Sequence, residues 1–284
     1  MRYIDLERVF EHPDAAALVQ KAEQARKALL AEQNARERRR LIRAQRSIWV
    51  DFRPIFEHVY GTTCWYTESQ NPGTDNDVDH YRPQGRIHEA KAHGGYWWEA
   101  LNWLNFRYSC HRANRLRRDS AAAKTLGKGD HFPLLDENAR WRQPTEPCRE
   151  QPKILDPTIP SDPPLLTFDQ DGLVALTPAH AGSPTAVERF EATRDILHLD
   201  AREFVADRRA VFNEVFRSVL EGDRVIEDSE PETTRERLAA IARKLIRLAE
   251  DKQPYSRAAT CHICRFRDRD WIEEMVVPHL KMTP

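Results

Sequence analysis

At 284 residues, 40% of them hydrophobic, the chain has enough apolar material for a sizeable core and is expected to fold unaided as one large unit or two small ones. Its 44 basic and 45 acidic residues nearly cancel, which excludes a protein that holds a polyanion by overall charge; any such contact must come from a local basic patch. Five cysteines, an opening Met-Arg-Tyr-Ile-Asp-Leu-Glu-Arg without an apolar leader and the lack of a long apolar run argue against a disulfide-stapled secreted domain or a membrane span, and predict a soluble cytoplasmic protein.

From about Pro13 to Phe56, Ala17-Leu18, Ala22, Ala25, Leu29-Leu30 and Ala35 recur at helical spacing and predict a long helix or a helical pair. Its middle carries Arg36, Arg38, Arg39, Arg40, Arg43 and Arg46 against Glu37 alone, a set that could face phosphates, an acidic partner or simply water. Between Gly61 and Lys128 the pattern changes. Asn71-Pro72-Gly73 and Gly94-Gly95 separate short aromatic-rich segments, as in a compact insert of small strands. The string from Trp103 to Arg118 reads as a strand end running into a basic helix, and Arg107, Arg112, Arg115, Arg117, Arg118, Lys124 and Lys128 stand against Asp119 alone.

Residues 129–185 hold ten of the eighteen prolines, which excludes regular helix over most of that span and predicts a wrapping connector. Within it, Leu165–Phe168 and Leu173–Leu176 flank Asp171-Gly172, the signature of a short hairpin. Ala186–Leu220 and Thr233–Ala249 return to helical spacing, and a last helix is expected through Ile272 and Met275. The fold class is therefore α+β, mainly α: an N-terminal helical region over 1–60, a small αβ core over 61–135, a proline-rich connector over 136–185 and a C-terminal helical region over 186–284.

The chemistry concentrates at Asn76-Asp-Val-Asp-His-Tyr-Arg-Pro83, where Asp79 beside His80 offers a hard oxygen ligand and a titratable base at one point of the backbone. Hydrolysis of a phosphodiester needs an activated water, a held phosphate and stabilised charge on the departing 3′ oxygen. A neutral imidazole, with an ordinary pKa of about 6.5, suits the first task, which falls to His80. A Mg²⁺ or Mn²⁺ ion held by few protein oxygens suits the last, and Asp79 and Asn114 are the candidate ligands. Adjacent strand residues point to opposite faces, so Asp79 and His80 can serve one phosphate only where their strand ends or bends. Asn105 is better cast as a brace that orients His80 or ties backbone across the motif. Arg82, Arg115, Arg117 and Arg118 are the candidate phosphate contacts, with Asn114 in the first turns of the basic helix. His88 and His93 read as loop or surface residues, and His111 stands as an alternative metal contact.

Asp77-Val78-Asp79-His80-Tyr81-Arg82-Pro83, Leu104-Asn105 and Cys110-His111-Arg112-Ala113-Asn114 together resemble the ββα-metal HNH endonucleases. Cys64–Glu68, His131–Leu134, Leu155-Asp156-Pro157 with Asp162-Pro163, and Leu197–Arg202 are similar to the PtuB-like HNH family found with retrons and Septu-type phage defence. The resemblance implies a ββα-metal core, nuclease action on nucleic acid, a defence role and a PtuA-like partner ATPase of the ABC or SMC kind; the motif does not decide between DNA and RNA, and DNA is taken as the leading substrate. An RNA endonuclease with the same site, tRNA being one substrate, and a nucleic-acid-binding subunit without activity are the alternatives. One departure stands out. Where many HNH proteins of this kind have two Cys-x-x-Cys pairs for a structural Zn²⁺, Thr67 and Ala113 occupy the second positions, which argues against that zinc. Cys261 and Cys264 could complete a four-sulfur site with Cys64 and Cys110, although a lone Cys-x-x-Cys in an apolar helix more often packs in a core.

Overall fold

The computed structural model of the chain describes residues 1–71, 73–119, 124–228 and 231–281. The N-terminal region forms three helices rather than one or two: α1 (Ala15–Ala31), α2 (Ala35–Ala44) and α3 (Ser47–Tyr60). The break before α2 has a local cause. The Asn34 side chain accepts hydrogen bonds from the Arg36 and Glu37 amides, capping a new helix where the old one could have continued. Helix α3 stops at Gly61, whose φ of +86° an L side chain rarely adopts.

Among the described residues three two-stranded antiparallel sheets follow: β1 (Asp77–His80) with β2 (Phe106–Ser109), β3 (Arg117–Asp119) with β4 (Lys124–Leu126), and β5 (Leu166–Phe168) with β6 (Val174–Leu176). A single helical turn, α4 (His111–Asn114), joins the first pair to the second. In the first sheet Asp79 stands opposite Arg107 and His80 opposite Phe106. The chain closes with α5 (Pro184–Ile196), α6 (Arg202–Asp228), α7 (Pro231–Leu248), α8 (Ser256–Cys264) and α9 (Asp270–Met275).

The hairpin expected around Asp171-Gly172 is present as β5–β6, with Gly172 at φ +88°. The long basic helix is not. After one turn, Arg115 is already extended and Arg117 and Arg118 lie in a strand, so Asn114 ends a helix instead of opening one. Four residues are too short for a helix dipole to act on phosphate, and that part of the expectation falls. Residues 120–123 of the same stretch lie outside the described residues.

Side chains of α1 and α3, with Val9, Trp65, Trp103, Phe106 and Tyr108, form one apolar cluster that seats the β1–β2 sheet on the N-terminal helices. A second cluster, with Tyr66, Tyr81, Trp98, Cys110, Phe132 and Leu155, joins the other side of the sheet to the connector and reaches Ala258 on α8. A third holds α6 to α9 together around Val215, Leu245, Ile263 and Ile272. The connector earns its place through buried ion pairs. Arg107 makes bidentate contacts with Asp156 at 2.7 and 2.6 Å, and Arg189 does the same with Asp162 at 2.7 Å twice.

Candidate active site

Strand β1 ends at His80, and the chain beyond it is clamped by Asn105. The Asn105 Oδ1 accepts the Arg82 amide at 2.8 Å, and its Nδ2 donates to the carbonyls of Arg82 and Glu99 at 3.0 and 3.2 Å. Every polar atom of this buried amide is spent on backbone, so Asn105 fixes where the chain turns and has nothing left to offer a reactant.

The His80 Nε2 lies 2.8 Å from the carbonyl oxygen of Ala100. A carbonyl only accepts, so Nε2 carries the hydrogen and Nδ1 keeps a lone pair. The rings of Trp49 and Phe106 pack edge-on against the imidazole at 5.2 Å each, and 8% of the residue is exposed. Burial lowers the His80 pKa to about 4; the Ala100 bond opposes this and the nearby Lys128 ammonium adds to it. The imidazole is thus neutral across the physiological range.

Asp79 sits deeper. Its Oδ2 accepts from the Tyr66 hydroxyl at 3.2 Å, and the Lys128 ammonium lies 3.1 Å from its carboxylate oxygens. Burial pushes the carboxyl up from its ordinary value, against the pull of Lys128. Lys128 was counted in the sequence as one more cation of a basic patch, yet its side chain is wholly buried and its Nζ also donates to the His80 carbonyl at 2.7 Å. This is the site residue that sequence reasoning missed. Its only local signal is the flanking Gly127 and Gly129, at φ +109° and +47°, where an added Cβ would meet the Arg115 carbonyl at 2.1 Å and the Leu116 side chain at 2.5 Å. These glycines let β4 return close enough for the lysine to enter.

Asn114 is oriented by a second missed residue, Asp77, which accepts from its Nδ2 at 3.2 Å and from Arg115 at 3.0 and 3.1 Å. His111 Nε2 lies 3.4 Å from the same carboxylate, so it joins this cluster. The candidate phosphate contacts fare unequally. Arg82 is bound to the buried Glu150 at 2.9 Å, with its guanidinium 5.5 Å from the Phe132 ring centre, and is not available to a phosphate. Arg115 is exposed but tied to Asp77, and Arg117 and Arg118 stand on β3.

Asp79, His80 and Asn114 all line one open cavity of about 290 Å³, with Gln84, Arg86, Gly129 and Asp130 at its sides. Three larger clefts, of about 470, 410 and 410 Å³, lie elsewhere, so volume does not single out this cavity; its converging oxygen and nitrogen groups do. One carboxylate and one amide lining the same cavity suit a hard cation that keeps most of its water shell. A carboxylate has about four acceptor positions, and Tyr66 and Lys128 leave room at Asp79 for one more contact. The donor set thus fits a Mg²⁺-like ion sharing Asp79 with Lys128.

The sulfurs are arranged otherwise. Cys64 and Cys110 are buried together, with the Thr67 hydroxyl 3.8 Å from the Cys110 sulfur. Burial pushes the Cys64 thiol up, but hydrogen bonds from Cys110 and Thr67 outweigh it and bring it to about 6. Cys261 packs at the edge of the same cluster while Cys264 packs with α6, α7 and α9. Among the described residues, no three His, Cys, Asp or Glu side chains gather as a metal centre. Nor, among them, is any helix long and apolar enough to cross a membrane.

No protein-family model matches the chain. It is similar to the Septu protein PtuB of Bacillus mycoides strain KBAB4, with 25% identity over 166 residues. The match covers 57% of this chain and spans half the length of that relative.

Proposed function

We propose that the chain is a metal-dependent HNH endonuclease that hydrolyses phosphodiester bonds of nucleic acid, DNA in the first instance, as the effector of an anti-phage system of the Septu type alongside a PtuA-like ATPase. The observation that carries this reading is the shared cavity of Asp79, His80 and Asn114, with His80 held as a neutral imidazole by the Ala100 carbonyl. The likeness to a Septu PtuB protein supports the defence setting.

In this reading His80 takes the proton of a water at Nδ1 while its Nε2–H stays on Ala100, and the Trp49 and Phe106 rings keep the imidazole from swinging. A base with a pKa near 4 is always unprotonated at working pH, at the expense of driving force. Asp79 and Asn114 would hold Mg²⁺ or Mn²⁺, which when bound supplies Lewis-acid stabilisation of charge on the departing oxygen. Lys128 keeps the Asp79 carboxylate fixed and offsets its charge.

The test is cleavage of duplex DNA and of structured RNA by the full chain with its partner ATPase and Mg²⁺. His80→Ala and His80→Gln are compared with the wild type, the glutamine keeping a donor for Ala100. A loss of roughly 10²- to 10⁴-fold in both is expected; a wild-type rate in both would remove the mechanism. The seating of Lys128 on Asp79 also favours a second reading, a subunit that binds nucleic acid without cutting it. Equal protection of cells by Asp79→Ala and wild-type proteins would select that one.

A further inference from the structure

Two of the four candidate phosphate contacts, Arg82 and Arg115, are bound to carboxylates of the protein itself, so a strand needs further cationic contacts. Helix α2 answers to that need. Arg36, Arg39, Arg40 and Arg43 follow the i, i+3, i+4, i+7 spacing of one helix face and are exposed, and Arg46 continues the row beyond the helix end. Only Arg40 has an acidic partner among the described residues, Glu37 at 3.5 Å, and that pair is open to solvent. The opposite face is anchored. Leu41 and Ile42 pack on the N-terminal core, and the Arg38 guanidinium stacks 4.1 Å above the Trp97 ring.

The anchored side of α2 connects to the residues that hold His80. Trp97 lies three residues before Ala100, whose carbonyl holds His80, and Trp49, just beyond Arg46, packs 5.2 Å from the His80 ring. We infer that this arginine face of α2 is a phosphate-binding ridge that carries the duplex backbone flanking the cleavage point. The inference rests on the nuclease reading above. Seven helical residues rise about 10 Å, which matches about three successive phosphates of one DNA strand at about 3.4 Å of axis each. Guanidinium groups on a rigid helix suit such a row, because each can present two parallel donors to one phosphate.

The experiment measures binding of a defined DNA duplex to the full chain across a salt series, in a His80→Gln background so that strands stay intact. Arg36, Arg39, Arg40 and Arg43 are replaced together by Gln. A control replaces Arg224, Arg235, Arg243 and Arg247 on α6 and α7, which changes net charge equally. The ridge variant is expected to lose at least tenfold in affinity at low salt and to flatten the slope of log K against log salt by about three. The control is expected to keep the wild-type slope, and thermal melting of both proteins checks the fold. A ridge variant with the wild-type slope would overturn the inference and leave the arginines to an acidic protein surface, while cleavage by the His80-containing chain would still uphold the nuclease reading. Equal flattening in the control would also overturn it, by showing that overall charge and not this face sets binding. If the chain neither binds nor cuts DNA, the ridge and the reading beneath it fall together.

Discussion

The pair formed by Lys128 and Asp79 puts two formal charges where almost no water reaches: the lysine side chain is fully buried and Asp79 is 7% exposed. A pair of this kind adds little net stability over apolar groups of the same shape, but removing one member strands the other. Lys128→Met should therefore destabilise the chain by about 3–5 kcal/mol in urea unfolding, and Asp79→Asn in the same protein should recover most of that loss. An unchanged midpoint in the single variant would show that the ammonium does not sit on Asp79. Asp79 and His80 were legible as chemistry because they are neighbours in the chain. Lys128 was not: it reaches Asp79 across 49 residues, and nothing in a local run of basic residues separates a buried partner from a solvated charge.

At the level of elements, what delivers Lys128 is the return of the chain after β4 against α4. The Lys128 amide donates to the Ala113 carbonyl at 2.7 Å and the Gly129 amide to the Asn114 carbonyl at 2.6 Å. Gly127→Ala would drive a Cβ into the Arg115 carbonyl at a φ of +109°, so the returning chain has to move and take the lysine with it. A cost of roughly 1–3 kcal/mol is expected, together with a fall in cleavage, whereas Gly73→Ala, with nothing within 4 Å, serves as a control that should change neither. Urea unfolding and cleavage rates of the two variants decide it; equal behaviour would refute the role of this return. Apolar periodicity of 3.6 and the Asp-Gly turn announced the helices and the β5–β6 hairpin, since those signals are local. The 107–128 stretch misled because arginine is at home in helix and strand alike; its path is set by the Asn114–Asp77 and Arg107–Asp156 contacts, which charge counting does not see.

Across the whole molecule, two buried histidines tie stability to pH. His262 on α8 has neither ring nitrogen partnered among the described residues, packs 5.1 Å from Phe212, and is held by burial at a pKa of about 4, as His80 is in another core. In the unfolded chain both titrate near 6.5, so below that pH the unfolded state binds protons that the folded state refuses. Their contribution is complete above about pH 6.5 and is lost as the pH falls toward 4, by roughly 2–3 kcal/mol for each histidine at pH 4.5. His262→Leu should remove its share, so that urea midpoints at pH 7 and pH 4.5 lie closer together than in the wild type; an unchanged difference would show that His262 is protonated in the fold. The same architecture that excludes water from His80 brings two cores together around the end of β1, with the N-terminal helices behind His80 and the connector behind Tyr81.

In the proposed mechanism Asp79 and Asn114 share one divalent ion beside the His80 imidazole, and Mn²⁺ would locate that ion directly by its anomalous scattering. Crystals of the full chain soaked in Mn²⁺ should give one strong peak within about 2.0–2.3 Å of an Asp79 carboxylate oxygen and of Asn114 Oδ1, with the rest of its shell water. A peak confined to other residues, or crystals in which Lys128 keeps Asp79 and no peak rises at saturating Mn²⁺, would contradict the account.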